Sequence, residues 1–284
     1  MNKFGLIGHN ISGSQAPDIH KRLGNLFEVT LSYELFDIKN KEDHYFESLL
    51  KELKVDGFKG VNITYPFKEK AINYADKVNK GASFVKSANT LIFQEKTIAE
   101  NTDFSGFLRT LDFHFKDNKA EKILVIGGGG VGRSVLFGLG SLHNKDLYLI
   151  ETDLIKGNNL VKELLLSDIN CKLLKNNELD GMISKFNAII NCTPIGHQDF
   201  PGCPLGLLKP NKDQWVFDVV YTPAKTQFIK KAEKVGAKII SGIDLFVFQA
   251  LDAFILFNNE KVNKNEISER INYLRQHYFK VLFN

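Results

Sequence analysis

Two stretches of this 284-residue chain hold residue types that can do chemistry. The first is Ile123–Gly132, ILVIGGGGVG. The apolar run Ile123–Ile126 has the composition of a buried parallel strand. It breaks into Gly127, Gly128, Gly129, Gly130, Val131 and Gly132, which contains G-x-G-x-x-G, and Arg133–Leu142 reads as a helix. A strand before and a helix after are the context this motif needs to signify a dinucleotide site. Gly127 permits a tight turn, Gly129 lets the backbone approach a pyrophosphate, and Gly132 lets helix and strand pack closely. The helix start then offers free N–H groups to phosphates. Leu147–Ile150 follows as a strand ending at Glu151, about 20 residues beyond the glycines, where an acid binds a ribose 2′-hydroxyl. A glycine turn in some other α/β protein is the plainer alternative.

The second stretch supplies a proton-transfer group. A nicotinamide enzyme must move a proton at the reacting oxygen while hydride moves at carbon. The chain has no Ser-x-x-x-Tyr-x-x-x-Lys helix and no metal-ligand spacing, and its 7 histidines are scattered. Lys68 and Asp103 are the pair these residue types favour. A lysine in a partly dry cleft can shuttle a proton, and a neighbouring carboxylate fixes its position. Against this stand a solvated surface lysine and an Asp103 that merely caps its helix.

Composition sets the frame. Length suggests two domains, and the net charge of +4 is spread along the chain, with no implication of nucleic acid. The densest apolar stretch, Leu245–Phe257, is interrupted by Gln249 and Asp252, so no membrane span is expected, and the N-terminus lacks a signal-peptide core. The 3 cysteines, Cys171, Cys192 and Cys203, form no C-x-x-C. They point to a cytoplasmic protein without a metal.

The elements that must position these groups alternate. Phe4–Gly8 reads as a strand, then a polar turn Ile11–Pro17, with Pro17 opening a helix over Asp18–Leu26. One serine of that turn is expected as its cap. Ser32–Asp37 is a strand, Lys41–Leu53 an amphipathic helix, and Gly60–Thr64 a strand that ends at Tyr65-Pro66. Lys68 opens the next helix, at the strand edge where ligands bind in open α/β sheets. A hairpin over Lys86–Asn101 and a helix over Phe104–Leu111 follow, with His114–Glu121 as a link. Beyond the glycine loop come a helix at Leu160–Leu166 and strands at Lys172–Leu174, Ala188–Cys192, Trp215–Val219 and Lys238–Ile240. Thr226–Val235, Ile243–Phe257 and Lys264–Phe283 are helices. The cleft between domains is the expected place for hydride transfer.

At Asn62-Ile63-Thr64-Tyr65-Pro66-Phe67-Lys68 the chain resembles the shikimate dehydrogenase family, with its N-[VI]-T-x-P-[FY]-K signature. The resemblance extends over nearly the whole chain. It includes Ala88-Asn89-Thr90, Asn101-Thr102-Asp103, Asn191-Cys192-Thr193-Pro194-Ile195-Gly196, Asp218-Val219-Val220-Tyr221-Thr222-Pro223, and Gly242 with Gln249. It implies an α/β fold in two domains. One is a Rossmann-like doubly wound dinucleotide domain, residues 108–245. The other is an N-terminal α/β substrate domain, residues 1–107, completed by C-terminal helices within 246–284, with hinges near Leu108 and Leu245. It implies NAD(H)- or NADP(H)-dependent interconversion of 3-dehydroshikimate and shikimate in chorismate and aromatic amino acid biosynthesis, by a monomer or homodimer. Lys68 would be the acid/base group and Asp103 its partner. Asn89 and Gln249 would bind ring hydroxyls, Thr64 and Tyr221 would lie near the ring and its carboxylate, and Ser14 would donate to that carboxylate. The Gly127–Gly132 loop, Thr193 and Gly242 would line the cofactor, with Leu245 by the nicotinamide.

The chain departs from the family pattern in places. Ser14-Gln15-Ala16-Pro17 has one hydroxyl where the family has two, and one hydrogen bond to a charged group is worth about 1.5–3 kcal/mol. Glu151-Thr152-Asp153 replaces an Arg-bearing run that pairs a 2′-phosphate, which leans to NAD(H) unless Lys156 restores a contact. Asp244 stands in place of a glycine, without a sequence-level reason. These departures suggest a quinate/shikimate or aminoshikimate type of paralogue. A ligand-binding relative without turnover is the alternative of another class.

Overall fold

The computed structural model describes residues 1–42, 44–115, 121–142, 146–258 and 267–283. The chain divides into two compact units, residues 1–106 with 247–272, and residues 107–246 with 273–284. No described helix is long and apolar enough to cross a membrane.

In the first unit, apolar runs with intervening amphipathic helices build β1 (Asn2–Gly8), α1 (Ala16–Leu26), β2 (Leu31–Asp37), α2 (Tyr45–Val55) and β3 (Phe58–Ile63). These strands are parallel, in the order β2-β1-β3. Next come α3 (Lys68–Ala71), β4 (Lys77–Val78), α4 (Lys80–Val85), β5 (Thr90–Phe93), β6 (Thr97–Glu100) and α5 (Thr102–His114). The β5–β6 hairpin pairs antiparallel to β3, extending the sheet to β2-β1-β3-β5-β6-β4, and its register sets Asn62 opposite Thr90. Ile7, Leu49, Leu53, Val61, Ile63, Phe67 and Leu91 form one apolar core. Phe257 stacks on Phe4 at 4.6 Å, and a side chain at Gly60 would collide with it.

The second unit is doubly wound. It contains β7 (Lys122–Ile126), α6 (Gly130–Gly140), β8 (Asp146–Ile150), α7 (Leu154–Leu165), β9 (Cys171–Leu174), β10 (Ala188–Asn191), β11 (Trp215–Asp218), α8 (Gln227–Val235) and β12 (Lys238–Ser241). All its strands are parallel, in the order β12-β11-β10-β7-β8-β9. This is the dinucleotide-binding order, with the switch point at β7, between β8 and β10. α9 (Gly242–Phe257) and α10 (Ile267–Leu282) end the chain.

The observed division differs from the expected one in its last segment. Residues 273–284 belong with the second unit because Tyr278 is buried against Phe246 and Arg275 is bonded to Asp244. α5 continues to His114, the first residue of the expected link at 114–121, and residues 116–120 of that link lie outside the described ones. Residues 264–266 of the expected last helix lie outside them too.

One buried group makes this packing sensitive to acid. His20 on α1 is 2% exposed. It stacks on Tyr33 at 4.3 Å and faces Phe254 and Phe257. Burial lowers its pKa from 6.5 to about 3. The unfolded chain therefore takes up a proton below pH 6.5 that the native fold refuses until about pH 3, so this contribution is present above 6.5 and lost on acidification. Denaturation followed against pH should show about 1.4 kcal/mol lost per unit across that window, and His20→Phe should flatten the slope. An equally steep profile in the variant would contradict this account.

Candidate active site

In the first unit, the residues that follow β3 are tied down on all sides. The Thr64 N–H donates to the Ile7 carbonyl at 3.0 Å and the Phe67 N–H to the Thr64 carbonyl at 3.0 Å. Phe67 is buried and stacks flat on Phe46 at 4.6 Å. The Lys68 carbonyl accepts from the Ala88 N–H at 2.8 Å. Lys68 thus starts α3 with its backbone fixed, and its Nζ lies 2.6 Å from Asp103 Oδ2. The side chains are only 13% and 8% exposed.

Asp103 is free for this contact because Asn101, not Asp103, caps α5. Asn101 Oδ1 accepts from the Phe104 N–H at 2.9 Å, and its Nδ2 donates to the Ser87 carbonyl at 2.8 Å. Asn89 fixes the same helix start: its Oδ1 accepts from the Thr102 N–H at 2.6 Å, and its Nδ2 donates to Thr102 Oγ1 at 2.9 Å. Asn62 continues the network, donating to Thr90 Oγ1 and accepting from the Tyr33 hydroxyl, each at 2.9 Å. Neither Asn62 nor Tyr33 is expected as a site-builder from its residue type and spacing. The one available signal was a polar amide inside an otherwise apolar strand, which needs partners when buried. Gln249 reaches this region through α9, because a Cβ at Gly106 of α5 would sit 2.7 Å from the Gln249 backbone nitrogen. Ser14 lies on the turn that leaves β1, where its Oγ accepts from the Ala16 N–H at 3.2 Å; the expected serine cap is not formed, because Gln15 is the residue at the cap position of α1 and no side-chain cap bond is made there. The Ala16 bond leaves the hydroxyl hydrogen of Ser14 uncommitted.

In the second unit, Gly127 has φ +95°, a left-handed conformation, and a Cβ there would lie 2.7 Å from Thr193 Cγ2. A Cβ at Gly132 would lie 1.9 Å from the Gly127 carbonyl oxygen, whereas one at Gly129 would meet nothing within 4 Å. No side chain caps α6. A tight turn, an open approach at Gly129 and an uncapped helix start together fit a pyrophosphate. Glu151 Oε2 accepts from the Gly128 N–H at 2.8 Å, and its Oε1 accepts from the Asp153 N–H at 3.1 Å. Asp153 caps α7, accepting from the N–H groups of Ile155 and Lys156 at 3.0 Å each.

Thr193 donates its hydroxyl to Asn191 Oδ1 at 2.6 Å, and Asn191 Nδ2 donates to Asp218 Oδ1 at 2.8 Å. Burial pushes the Asp218 carboxyl up to about 6, against the pull of its hydrogen bonds. Burial and the Asp218 charge push the Cys192 thiol well above its ordinary range, which leaves it unreactive. Gly242 is required by the carbonyls of Asp218 and Val219, each 2.6 Å from where its Cβ would sit. Leu245 is buried, and Tyr221 stacks on Phe246 at 4.5 Å. Tyr221 is in the second unit, while Ser14, Thr64, Asn89 and Gln249 are in the first.

Asp244 has a structural reason. It is fully buried, its Oδ1 accepts from Arg275 Nε at 2.6 Å, and its Oδ2 lies 2.6 Å from His114 Nε2. Arg275 also covers the Phe113 ring at 3.7 Å. The carboxylate ties α5, α9 and α10 together inside the second unit.

Residues 6–91 match the family described as shikimate dehydrogenase substrate binding domain. The chain is 32% identical over 259 residues to shikimate dehydrogenase (NADP(+)) of Clostridium botulinum, covering 90% of this chain and 96% of that one. It is 33% identical over 284 residues to the Caldicellulosiruptor bescii enzyme of the same name, covering 96% and 95%. Among solved structures, quinate dehydrogenase from Corynebacterium glutamicum in complex with NAD superposes with TM-score 0.86 at 26% identity, covering 99% of each chain. Shikimate 5-dehydrogenase from Thermus thermophilus in complex with NADP(H) and shikimate gives 0.78 at 25% identity, covering 96% and 100%.

Removing Asp244 would leave the Arg275 guanidinium half-dry and without its counter-charge. Asp244→Ala should therefore cost roughly 3–5 kcal/mol, read by urea unfolding. A loss below about 1 kcal/mol would show that the cluster is idle.

Proposed function

The chain belongs to the shikimate dehydrogenase family and is a nicotinamide-dependent oxidoreductase interconverting 3-dehydroshikimate and shikimate, and we propose that Lys68 is its acid/base group, held in place by Asp103. The observation that carries this assignment of roles is the 2.6 Å contact between two nearly dry, oppositely charged side chains beside the start of α5. A bound nicotinamide supplies or accepts hydride at the reacting carbon. In reduction, the Lys68 ammonium gives its proton to the carbonyl oxygen of 3-dehydroshikimate, which becomes the new hydroxyl. In oxidation, the neutral amine of Lys68 takes the proton from that hydroxyl. Asp103 stays ionised and keeps Nζ from swinging into solvent.

The remaining roles follow the chemistry of the side chains. Ser14 keeps a hydroxyl hydrogen to donate to the substrate carboxylate, with Thr64, Asn89 and Gln249 meeting the ring and its oxygens. Unpaired-group penalties make such neutral amides and hydroxyls selective for a polyol. Gly127 to Gly132, Thr193, Gly242 and Leu245 line the dinucleotide. The Glu151 carboxylate, fixed by N–H donors at the end of β8, favours a ribose 2′-hydroxyl, which donates to it, over a 2′-phosphate, which it repels. The preferred cofactor is therefore NAD(H). The single hydroxyl of the Ser14–Ala16 turn favours a relaxed demand at C1, which makes quinate a second substrate.

Lys68→Met should lower kcat by about 10²–10⁴ while equilibrium binding of shikimate changes far less. A variant turning over within tenfold of wild type would remove Lys68 from the mechanism. Wild type that binds shikimate without any turnover would favour the ligand-binding alternative. Steady-state kinetics of shikimate and quinate with both dinucleotides should give a higher kcat/KM for NAD. A tenfold or greater advantage for NADP would overturn the reading of Glu151.

A further inference from the structure

A second buried carboxylate, Asp218, has no part in the proton transfer. It ends β11, is wholly inside the second unit, and keeps three donors. Oδ1 accepts from Asn191 Nδ2 at 2.8 Å and from the Val220 N–H at 3.1 Å, and Oδ2 accepts from Thr226 Oγ1 at 2.6 Å. An apolar side chain would pack there without the desolvation cost of a carboxylate. What the carboxylate adds is direction. With Nδ2 committed to Asp218 and to the Ile195 carbonyl at 3.0 Å, the Asn191 amide cannot flip. Its Oδ1 then accepts both the N–H of Thr193 at 3.0 Å and the Thr193 hydroxyl at 2.6 Å.

The consequence falls on Thr193. Its single hydroxyl hydrogen is spent on Asn191, and one lone pair accepts from the Ile195 N–H at 3.2 Å. A hydroxyl has one donor and two acceptor sites, so what remains is one lone pair. Thr193 also lies against the glycine turn, since its Cγ2 occupies the space a Gly127 side chain would need. We propose that Asp218 is a positioning residue for the dinucleotide: acting through Asn191, it fixes the Thr193 hydroxyl as an acceptor, so that Thr193 receives a donor of the bound dinucleotide, a ribose hydroxyl or a carboxamide N–H, and not a phosphate oxygen. This rests on the reading that Thr193 lines the cofactor.

The test is dinucleotide affinity measured without substrate, by fluorescence titration of NAD(H). Thr193→Val should weaken binding up to about tenfold, Asp218→Ala should weaken it comparably, and the double variant should be no worse than the weaker single one. Asp218→Asn keeps a carbonyl for Asn191 and should recover most of the loss. Should Asp218→Ala fail to fold, Asn191→Ala cuts the same link, with the same expected non-additivity. The 3-acetylpyridine analogue, which lacks the carboxamide N–H, separates the sources: sensitivity to Thr193→Val vanishes with it if the donor is the carboxamide and persists if it is a ribose hydroxyl. Additive losses, or a Thr193→Val protein binding like wild type, would overturn the proposal while leaving the dehydrogenase reading standing. A wild-type protein that binds neither dinucleotide would overturn that reading itself.

Discussion

An ammonium and a carboxylate held almost out of water at 2.6 Å are the constraint on which the first unit is built. Such a pair is poor value as a source of stability, because desolvation offsets most of the attraction. Its position is instead over-determined from both sides. On the lysine side, Phe67 is wedged against Phe46 and the Lys68 carbonyl is bonded to Ala88. On the aspartate side, the first turn of α5 is set by Asn101 and Asn89 before Asp103 makes any contact. Neither side chain holds the other's backbone in place. Paired ionisable groups, nearly dry and with independently fixed supports, are more characteristic of chemistry than of packing.

The two units solve the same problem with the same device. Inner strands end in turns whose N–H and C=O groups have left the sheet ladder and must be paired elsewhere. In the first unit Asn62, near the end of β3, and Asn89, just before β5, provide those partners. In the second unit Asn191 ends β10 and Asp218 ends β11, and together they bond three neighbouring turns. A buried amide suits this task because it donates and accepts at once. Each turn is thereby stiffened at the sheet edge where ligands bind in open α/β sheets, and the side chains carried on those turns inherit that stiffness.

Local patterns in the sequence revealed much of this, and their limit is the range of the interaction. The glycine turn is legible because Gly127, Gly129 and Gly132 each answer a local steric demand. β1, β3 and β7 are legible as apolar runs, and α8 as a helix whose first expected residue, Thr226, proves to be its cap, accepting from the Ile229 N–H. The short β4 and α4 carry too few residues to show a period. That Asp103 pairs with a lysine 35 residues away and does not cap α5 is a relation no window of sequence contains. Asp244 is the plainest case. Its partners are His114 and Arg275, 130 and 31 residues distant, so a charged residue in place of glycine has no reason until the chain is folded. The same pairing draws the end of α10 into the second unit, against the grouping that order along the chain suggests.

The proposed cofactor choice, finally, turns on what the carboxylate at the end of β8 can tolerate. Glu151 is not a mobile surface acid, because both oxygens are engaged, one by the second glycine of the turn and the other by the backbone that starts α7. It cannot rotate away from a ligand without releasing the Gly128 N–H. At 4 Å, like charges cost about 1 kcal/mol in water and about 4 kcal/mol at the effective dielectric near a protein surface. A dianionic phosphate beside a fixed carboxylate therefore faces a penalty that a single mobile cation on the exposed Lys156 recovers only weakly. A ribose hydroxyl meets the opposite situation, a pre-oriented acceptor that needs no rearrangement. In the proposed reading, the hydrogen bond that shapes the glycine turn is thus also the one that would set the electrostatic preference.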